Sequence, residues 1–434
     1  MTWAQRFKLR DTIASSIWII PALCTVGAIV LAAFSEEIDQ EIFADLTEDD
    51  VWFIYSPSAA LEVLASIAAG MIAFTGFVFS ILTLAVQFGS TQFSPRSLRP
   101  LQRGLTTKVA LGSFIATFMF SLLVLSDVGA GDERYVPALS VLLAIFLLLI
   151  SVGLFLQLLH SVITGLRAVA VMDRIAGQTR RQIHRAFPPL SPIAPAAREP
   201  EPLNPADGRL IRFRGSPGII QAVNVRGLVA VARRADAVIE LIPAVGDYVA
   251  MGAPLARVYE KKKRIRPRQI YLSVAVGDER TVSQDPAYGI RLLVDIAIKA
   301  LSAAINDPTT AVQAIDRIDD LIRRLGLRQL DARVRFDRRG AERLRLPVHS
   351  WDDLLDLALD EIRHYGVSSI QVTRRLYALL DDLRETLPPV RHAALDAERE
   401  KLDRAVDQAF EDELDRRNAK VPDRQGIGMA RPAR

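Results

Sequence analysis

Hydrophobic positions divide the chain near residue 160. Ahead of that point lie four long apolar runs, Ser15 to Phe34, Val63 to Val86, Val109 to Leu125 and Val136 to Leu159. A helix needs roughly 20 apolar residues to cross a bilayer core, so each run predicts a membrane span. The first is too long in its apolar core for a cleavable leader, and no small-residue cleavage site follows it. Pro21 falls in its first turns, where a bend is tolerated.

Small and polar residues in the second run are not scattered. Ser66, Gly70, Ala73, Gly76, Ser80, Thr83 and Gln87 recur at steps of three or four, which puts them on one helix face, and Glu62 continues that face. Ser113, Thr117 and Ser121 form a shorter echo in the third run. Two uses of the stripe compete. Small residues let helix backbones approach closely, the commoner case. Alternatively, hydroxyls and Gln87 line a water-filled path through an oligomer, with a ring of Glu62 favouring cations at its mouth.

Past the fourth run a helical apolar period persists through Val162, Ile163, Leu166, Val169 and Ile175, predicting one helix that continues out of the membrane. His160 sits at the membrane exit, where a proton-sensing role competes with simple headgroup contact. A proline-rich stretch follows and marks a semi-rigid linker. The period then changes. "GIIQAVNV", "AVIELI" and "PLARVYE" predict strands, with "GLVAVARRA" a short helix between the first two. "VGDYVAMGAPLARV" resembles the Gly-Asp turn of biotinyl and lipoyl carrier barrels. Its nearest lysines, Lys261, Lys262 and Lys263, stand with Arg264 in a basic run rather than at an apolar hairpin tip. A small barrel-like fold without a cofactor is therefore expected.

Further on, "DPAYGIRLLVDIAIKALSAAI" is apolar on most faces and predicts a buried helix outside the membrane, with Asp295 and Lys299 spaced to pair. "NDPTTAVQAIDRIDDLIRRLG" restarts a helix: Asp307 suits the N-cap, Pro308 the first turn, and Val312, Ile315, Ile318, Ile322 and Leu325 repeat at helical spacing. Capping leaves Asn306, Thr309 and Thr310 unassigned. "ARVRF" and "RLRLPV" predict a strand pair, and Ser350 with Asp353 can cap the next helix.

Charge orients the spans. Between the first two lie Glu36, Glu37, Asp39, Glu41, Asp45, Glu48, Asp49 and Asp50 with no base; between the next two lie Arg96, Arg99, Arg103 and Lys108 with no acid. Basic loops mark the cytoplasmic side, so both termini are expected there, in the bacterial inner membrane. Trp52, Phe53 and Tyr55 then fall near the outer interface. The fold class is a four-span helical membrane protein with a cytoplasmic α+β domain. By position, 1–186 form the spanning domain with its extension, 187–207 the linker, 208–275 a β-rich part, 276–417 a mainly helical part and 418–434 a disordered tail.

Composition narrows the chemistry. The 434 residues are 50% hydrophobic yet 24% charged, consistent with apolar content gathered in the spans. Cys24 is the single cysteine and five histidines are scattered, so no disulfide framework, zinc site or other metal site is expected. P-loop, dinucleotide and HExxH motifs are absent, which leaves no expected cofactor and no assigned catalytic residue. Arg280, Asp285, Asp295, Asn306, Asp307 and Thr309 or Thr310 form the best polar cluster, without a spacing that specifies a reaction. The basic run 261–264 suits anionic lipid headgroups. Nucleic acid is disfavoured because no aromatic residues interleave with those charges.

"GDERTVSQDPAYGIRLLVDIAIKALSAAINDPTTAVQAIDRI", with "QFGSTQFSPR" and "VGDYVAMGAPLARV", resembles a bacterial group of predicted membrane proteins, domain of unknown function 2254. Ala303 stands where that pattern carries a proline. The resemblance implies a four-span anchor and a cytoplasmic domain, and it lends no activity. Three function classes remain: an oligomeric channel- or transport-like protein with a regulatory domain, a membrane-anchored sensor or scaffold, and a membrane-bound enzyme. The length of the span-two stripe favours the first, and weak catalytic geometry puts the enzyme last.

Overall fold

A computed structural model describes residues 3–43, 56–92, 104–128, 137–190, 202–330 and 333–429. Asp45, Glu48, Asp49, Asp50, the aromatics at 52, 53 and 55, the arginines at 96, 99 and 103, and residues 191–201 of the proline-rich stretch lie outside the described residues. Two compact units emerge, one comprising 12–91 and 98–171, the other 172–434 together with 1–11 and 92–97.

The first unit holds four helices long and apolar enough to cross a membrane: Ile19–Glu41, Ser58–Gly89, Leu105–Val128 and Ala138–Gly165, here spans one to four. Its core is aliphatic and aromatic. Leu64, Ile67 and Met71 of span two, Leu111, Phe114 and Phe120 of span three, and Val141 and Ala144 of span four are buried together. Phe74 meets Phe155 edge-on, ring centroids 4.9 Å apart, an arrangement the ring quadrupoles favour. Spans one and three approach closely at Gly112, where an added Cβ would lie 2.8 Å from Cys24 Sγ and 3.3 Å from Pro21 Cα.

Span four does not run on as one helix. It ends at Gly165, and a separate helix, Ala168–Ala186, begins three residues later. Thr164 donates its hydroxyl back to the His160 carbonyl at 2.7 Å. Such back-bonding beside a glycine loosens a helix end, and this corrects the continuous extension expected from the apolar period.

The second unit is mixed. Strands β1 (Arg209–Arg212), β2 (Gly218–Val223), β3 (Ala237–Leu241), β4 (Tyr248–Val249), β5 (Pro254–Glu260), β6 (Val274–Gly277), β7 (Val334–Phe336) and β8 (Glu342–Arg345) make two sheets. One has the order β1-β5-β3-β8-β7 and the other β4-β2-β6. All pairings are antiparallel except β3 with β8. The expected strands, the helix Val225–Ala235 and the late strand pair are all present. A closed barrel is not. The helix between β2 and β3 carries them into different sheets, and β8 occupies the β3 edge that closure would need. Ile220, Leu228, Ile239, Leu255, Ile270 and Leu344 fill the core beneath these strands.

Helices complete this unit. Pro286–Ala300 is apolar on most faces and correspondingly buried. Pro308–Gly326 follows, with Val312, Ile315, Ile318, Ile322 and Leu325 all inside. Trp351–Gly366, Ile370–Thr386 and His392–Ala409 pack around the pair. Ser350 and Asp353 form the expected capping box. Ala168–Ala186 joins through its later turns: Thr179 sits against the bare backbone of Gly289, and Arg180 pairs with Asp320 at 2.6 Å.

The tail expected to be disordered is held as far as residue 429. Glu413–Ala419 is helical. Beyond it, Arg374 donates to the Asn418 and Gly428 carbonyls, Gln371 to the Gly426 carbonyl, and buried Asp423 accepts from Gln425 and Gly428 N–H. Its backbone polar groups find partners on the helix Ile370–Thr386, so low hydrophobicity did not leave it loose.

Candidate functional site

The polar residues singled out in 280–310 do not form one cluster. Asp285 caps the start of helix Pro286–Ala300, accepting from Tyr288 N–H at 3.0 Å, while Asn306 and Asp307 follow its far end. The fifteen-residue helix lies between the two positions, about 22 Å long at the helical rise.

At the first end, Arg280 is the organiser. Its Nε donates to the buried Asp285 carboxylate at 2.6 Å, and its guanidinium stacks 5.3 Å from the Tyr288 ring centroid. The same guanidinium fills the space where a Cβ on Gly246 would sit, 2.5 Å from Nε. Gly246 has φ +98, and Asp247 closes the turn by accepting from Ala244 N–H at 2.8 Å. The "VGD" turn therefore serves to seat an arginine. Asp295 pairs with Arg291 at 2.7 Å, and Arg291 also bridges to Glu361.

At the second end Asn306 and Asp307 build a turn and a helix cap. Asn306 adopts φ +47, the left-handed region that asparagine tolerates. Asp307 accepts from Thr310 N–H at 3.0 Å and from the Thr310 hydroxyl at 2.5 Å. Thr309 is exposed. The chemistry here is turn chemistry.

Span two places its stripe on the outside of the first unit. Glu62, Ser66, Gly76, Ser80, Thr83 and Gln87 are exposed and Gly70 partly so, whereas Leu64, Ile67, Met71 and Val78 face the core. Gly70 and Gly76 have nothing within 4 Å of where a Cβ would stand. Ser80 and Thr83 donate to the Gly76 and Phe79 carbonyls of their own helix. His160 is exposed. So is the run from Lys261 to Arg264, where Lys262 lies 3.5 Å from Asp236.

Other features escaped the sequence reading because their partners are distant in the chain. Asp356, Asp360 and Glu398 bring carboxylate oxygens within 4.8 Å of one another. Lys401 Nζ stands among them, 2.7 Å from Asp356 and 2.5 Å from Glu398, and takes the position a metal ion would need. Burial raises the Glu398 pKa. A cleft of about 630 Å³ is lined by Asp381, Arg384, Glu385, His392, Asp423 and Arg424. Its charges largely answer one another, Arg424 reaching Asp382 at 2.6 Å and Glu385 at 3.1 Å. At the end of span one, Asp39 accepts from Leu139 N–H at 2.8 Å and Ser140 N–H at 3.0 Å, capping span four from another helix.

Comparison with known proteins matches residues 14–382 to a family model described as a predicted membrane protein (DUF2254). An uncharacterized protein of Mycobacterium bovis is 29% identical over 421 residues, covering 95% of this chain and 80% of the relative. An uncharacterized protein of Mycobacterium tuberculosis gives the same identity and coverage. No solved structure matches. Four membrane-length helices and a family match across most of the sequence agree, and the chain belongs to the DUF2254 family of predicted membrane proteins.

Proposed function

We propose that this protein is a channel- or transport-like oligomer of the bacterial cytoplasmic membrane, with the mixed unit on the cytoplasmic side as its regulatory domain. One observation carries the reading. The small and polar face of span two is turned away from the core, so packing among the described residues does not account for its glycines. Glycines on a lipid-facing surface contribute no side-chain packing, whereas against a second copy they allow backbones to approach closely. Such a face lining a shared path would offer water the hydroxyls and amide that permeation requires.

Support for the orientation comes from the basic segments flanking spans two and three and the acid after span one. The bacterial relatives fit a cytoplasmic membrane. The exposed run Lys261 to Arg264 suits anionic headgroups on that side, each charge contributing about 1 kcal/mol close to the leaflet. A mass measurement of the full chain in nanodiscs tests the assembly. A multimer that dissociates in the Gly70→Leu/Gly76→Leu chain is the expected result. A monomeric wild type would sink the proposal and leave the membrane-anchored scaffold.

A further inference from the structure

The first unit also buries a row of hydroxyls. Ser113, Thr117 and Ser121 stand at steps of four on span three, about 6 Å apart along one face. Ser151 of span four lies 2.8 Å from Ser113 Oγ and 3.0 Å from Thr117 Oγ1. Thr117, Ser121 and Ser151 are each 0% exposed. Ser121 Oγ has no hydrogen-bond partner among the described residues. Spans three and four run antiparallel, so the step from Thr117 to Ser121 leads toward the start of span four. Ser140 lies there. Its hydroxyl donates to Asp39 Oδ2 at 2.6 Å and sits 2.9 Å from Ser35 Oγ, with all three residues buried.

We infer that this row is a proton path inside each protomer. Polar groups buried at membrane depth are costly, and they commonly mark ion or proton routes. Oxygens touching at 2.8 and 3.0 Å leave no space for a metal ion between them, but a proton needs only hydrogen bonds. Each hydroxyl oxygen accepts a proton on a lone pair and releases its own, so one proton moves and no other bond changes. Between Ser121 and Ser140 the gap exceeds one hydrogen bond, and bridging water would use the free Ser121 hydroxyl.

Asp39 stands at the entry. Three donors and the positive end of span four hold its carboxylate beside the Ser140 hydroxyl. The other charged side chains described at that end are Glu36, Glu37 and Glu41 of span one, Glu62 of span two and Asp127 of span three, all acidic. Half-buried Ser113 opens the opposite end.

The path uses spans one, three and four and does not rest on the oligomeric reading. Its test is proton uptake by liposomes carrying the full chain and an internal pH dye, driven by a potassium diffusion potential. Wild type should acidify the lumen faster than empty liposomes. Thr117→Val, which keeps the shape and removes the hydroxyl, should fall to the empty-liposome rate, and Thr117→Ser should restore uptake. Leu149→Ala, on the exposed side of span four and outside the row, should conduct like wild type, and Gly70→Leu/Gly76→Leu reads whether uptake runs along span two instead. Wild type no faster than empty liposomes, or Thr117→Val at the wild-type rate, overturns the inference. Loss in the double leucine chain with Thr117→Val unaffected would move the path to span two and overturn it as well.

Discussion

Asn306 and Asp307 show how a polar motif is absorbed by geometry. Asn306 holds φ +47 while Asp307 caps the next helix through Thr310. Replacing Asn306 by valine should cost about 1–2 kcal/mol, because a β-branched residue resists the left-handed region, whereas glycine should be nearly neutral. Asp307→Ala should cost about 1 kcal/mol, the usual value of a lost cap. Denaturant titration of the full chain in detergent reads both. A larger cost rests on Arg375, which is buried and bridges Asp316 at 2.8 Å and Asp319 at 2.9 Å. Arg375→Ala should lose about 1.5–3 kcal/mol, because buried Asp319 gives up one partner and keeps Arg323 at 2.9 Å, and a loss under 1 kcal/mol, the range of exposed pairs, would contradict that burial. Acid should weaken the mixed unit. The Ser350 N–H holds Asp353 below the ordinary carboxylate range, and Arg291 does the same for Glu361. Carboxylates with lowered pKa stabilise fully above their unfolded values, near pH 4, and lose that contribution as pH falls through the folded values. Thermal midpoints should therefore hold steady above about pH 6 and drop on the acid side, with Asp353→Asn flattening part of the drop.

At the scale of elements, most of the secondary structure was legible because each helix or strand carries its own period. The four spans follow from uninterrupted apolar length, and the strands from short β-branched runs between turns. The helix from Pro308 follows from a cap, a proline and five apolar positions that are all buried. What remained hidden depends on partners far along the chain. Nothing local shows that β8 will pair in parallel with β3, that Arg280 will fill the space over Gly246, or that Asp39 will cap span four a hundred residues on. The break after Gly165 was missed because hydrophobic period records which face is apolar and says nothing of a hydroxyl bonding back to its own helix. Span two offered glycines in plain view, yet the close approach within the chain is at Gly112, beside Cys24 and Pro21. Gly112→Leu should therefore destabilise the membrane unit, by about 1–3 kcal/mol for overpacking, while Gly76→Leu should leave the thermal midpoint of the protomer unchanged.

For the whole molecule, the two units divide the physical problem. The first meets lipid with an apolar exterior interrupted along one side of span two by hydroxyls, glycines and an amide. The second is stabilised by ordinary means: a buried core under two sheets, a capped helical pair and ion pairs such as Arg291 with Glu361. It contains no described residue set that specifies a reaction, and the carboxylates of Asp356, Asp360 and Glu398 are answered by Lys401. Interest therefore falls on what covers the outward face of span two. The most direct measurement places single cysteines at Gly76, Ser80 and Thr83, and for comparison at Val78 and Ile81, in a Cys24→Ala background. A membrane-impermeant thiol reagent is then applied to the reconstituted protein. Labelling confined to Gly76, Ser80 and Thr83 is the result the account predicts, since water would then reach the bilayer centre along that face. Equal protection of all five positions would contradict it and make the face a dry contact with lipid or a second copy.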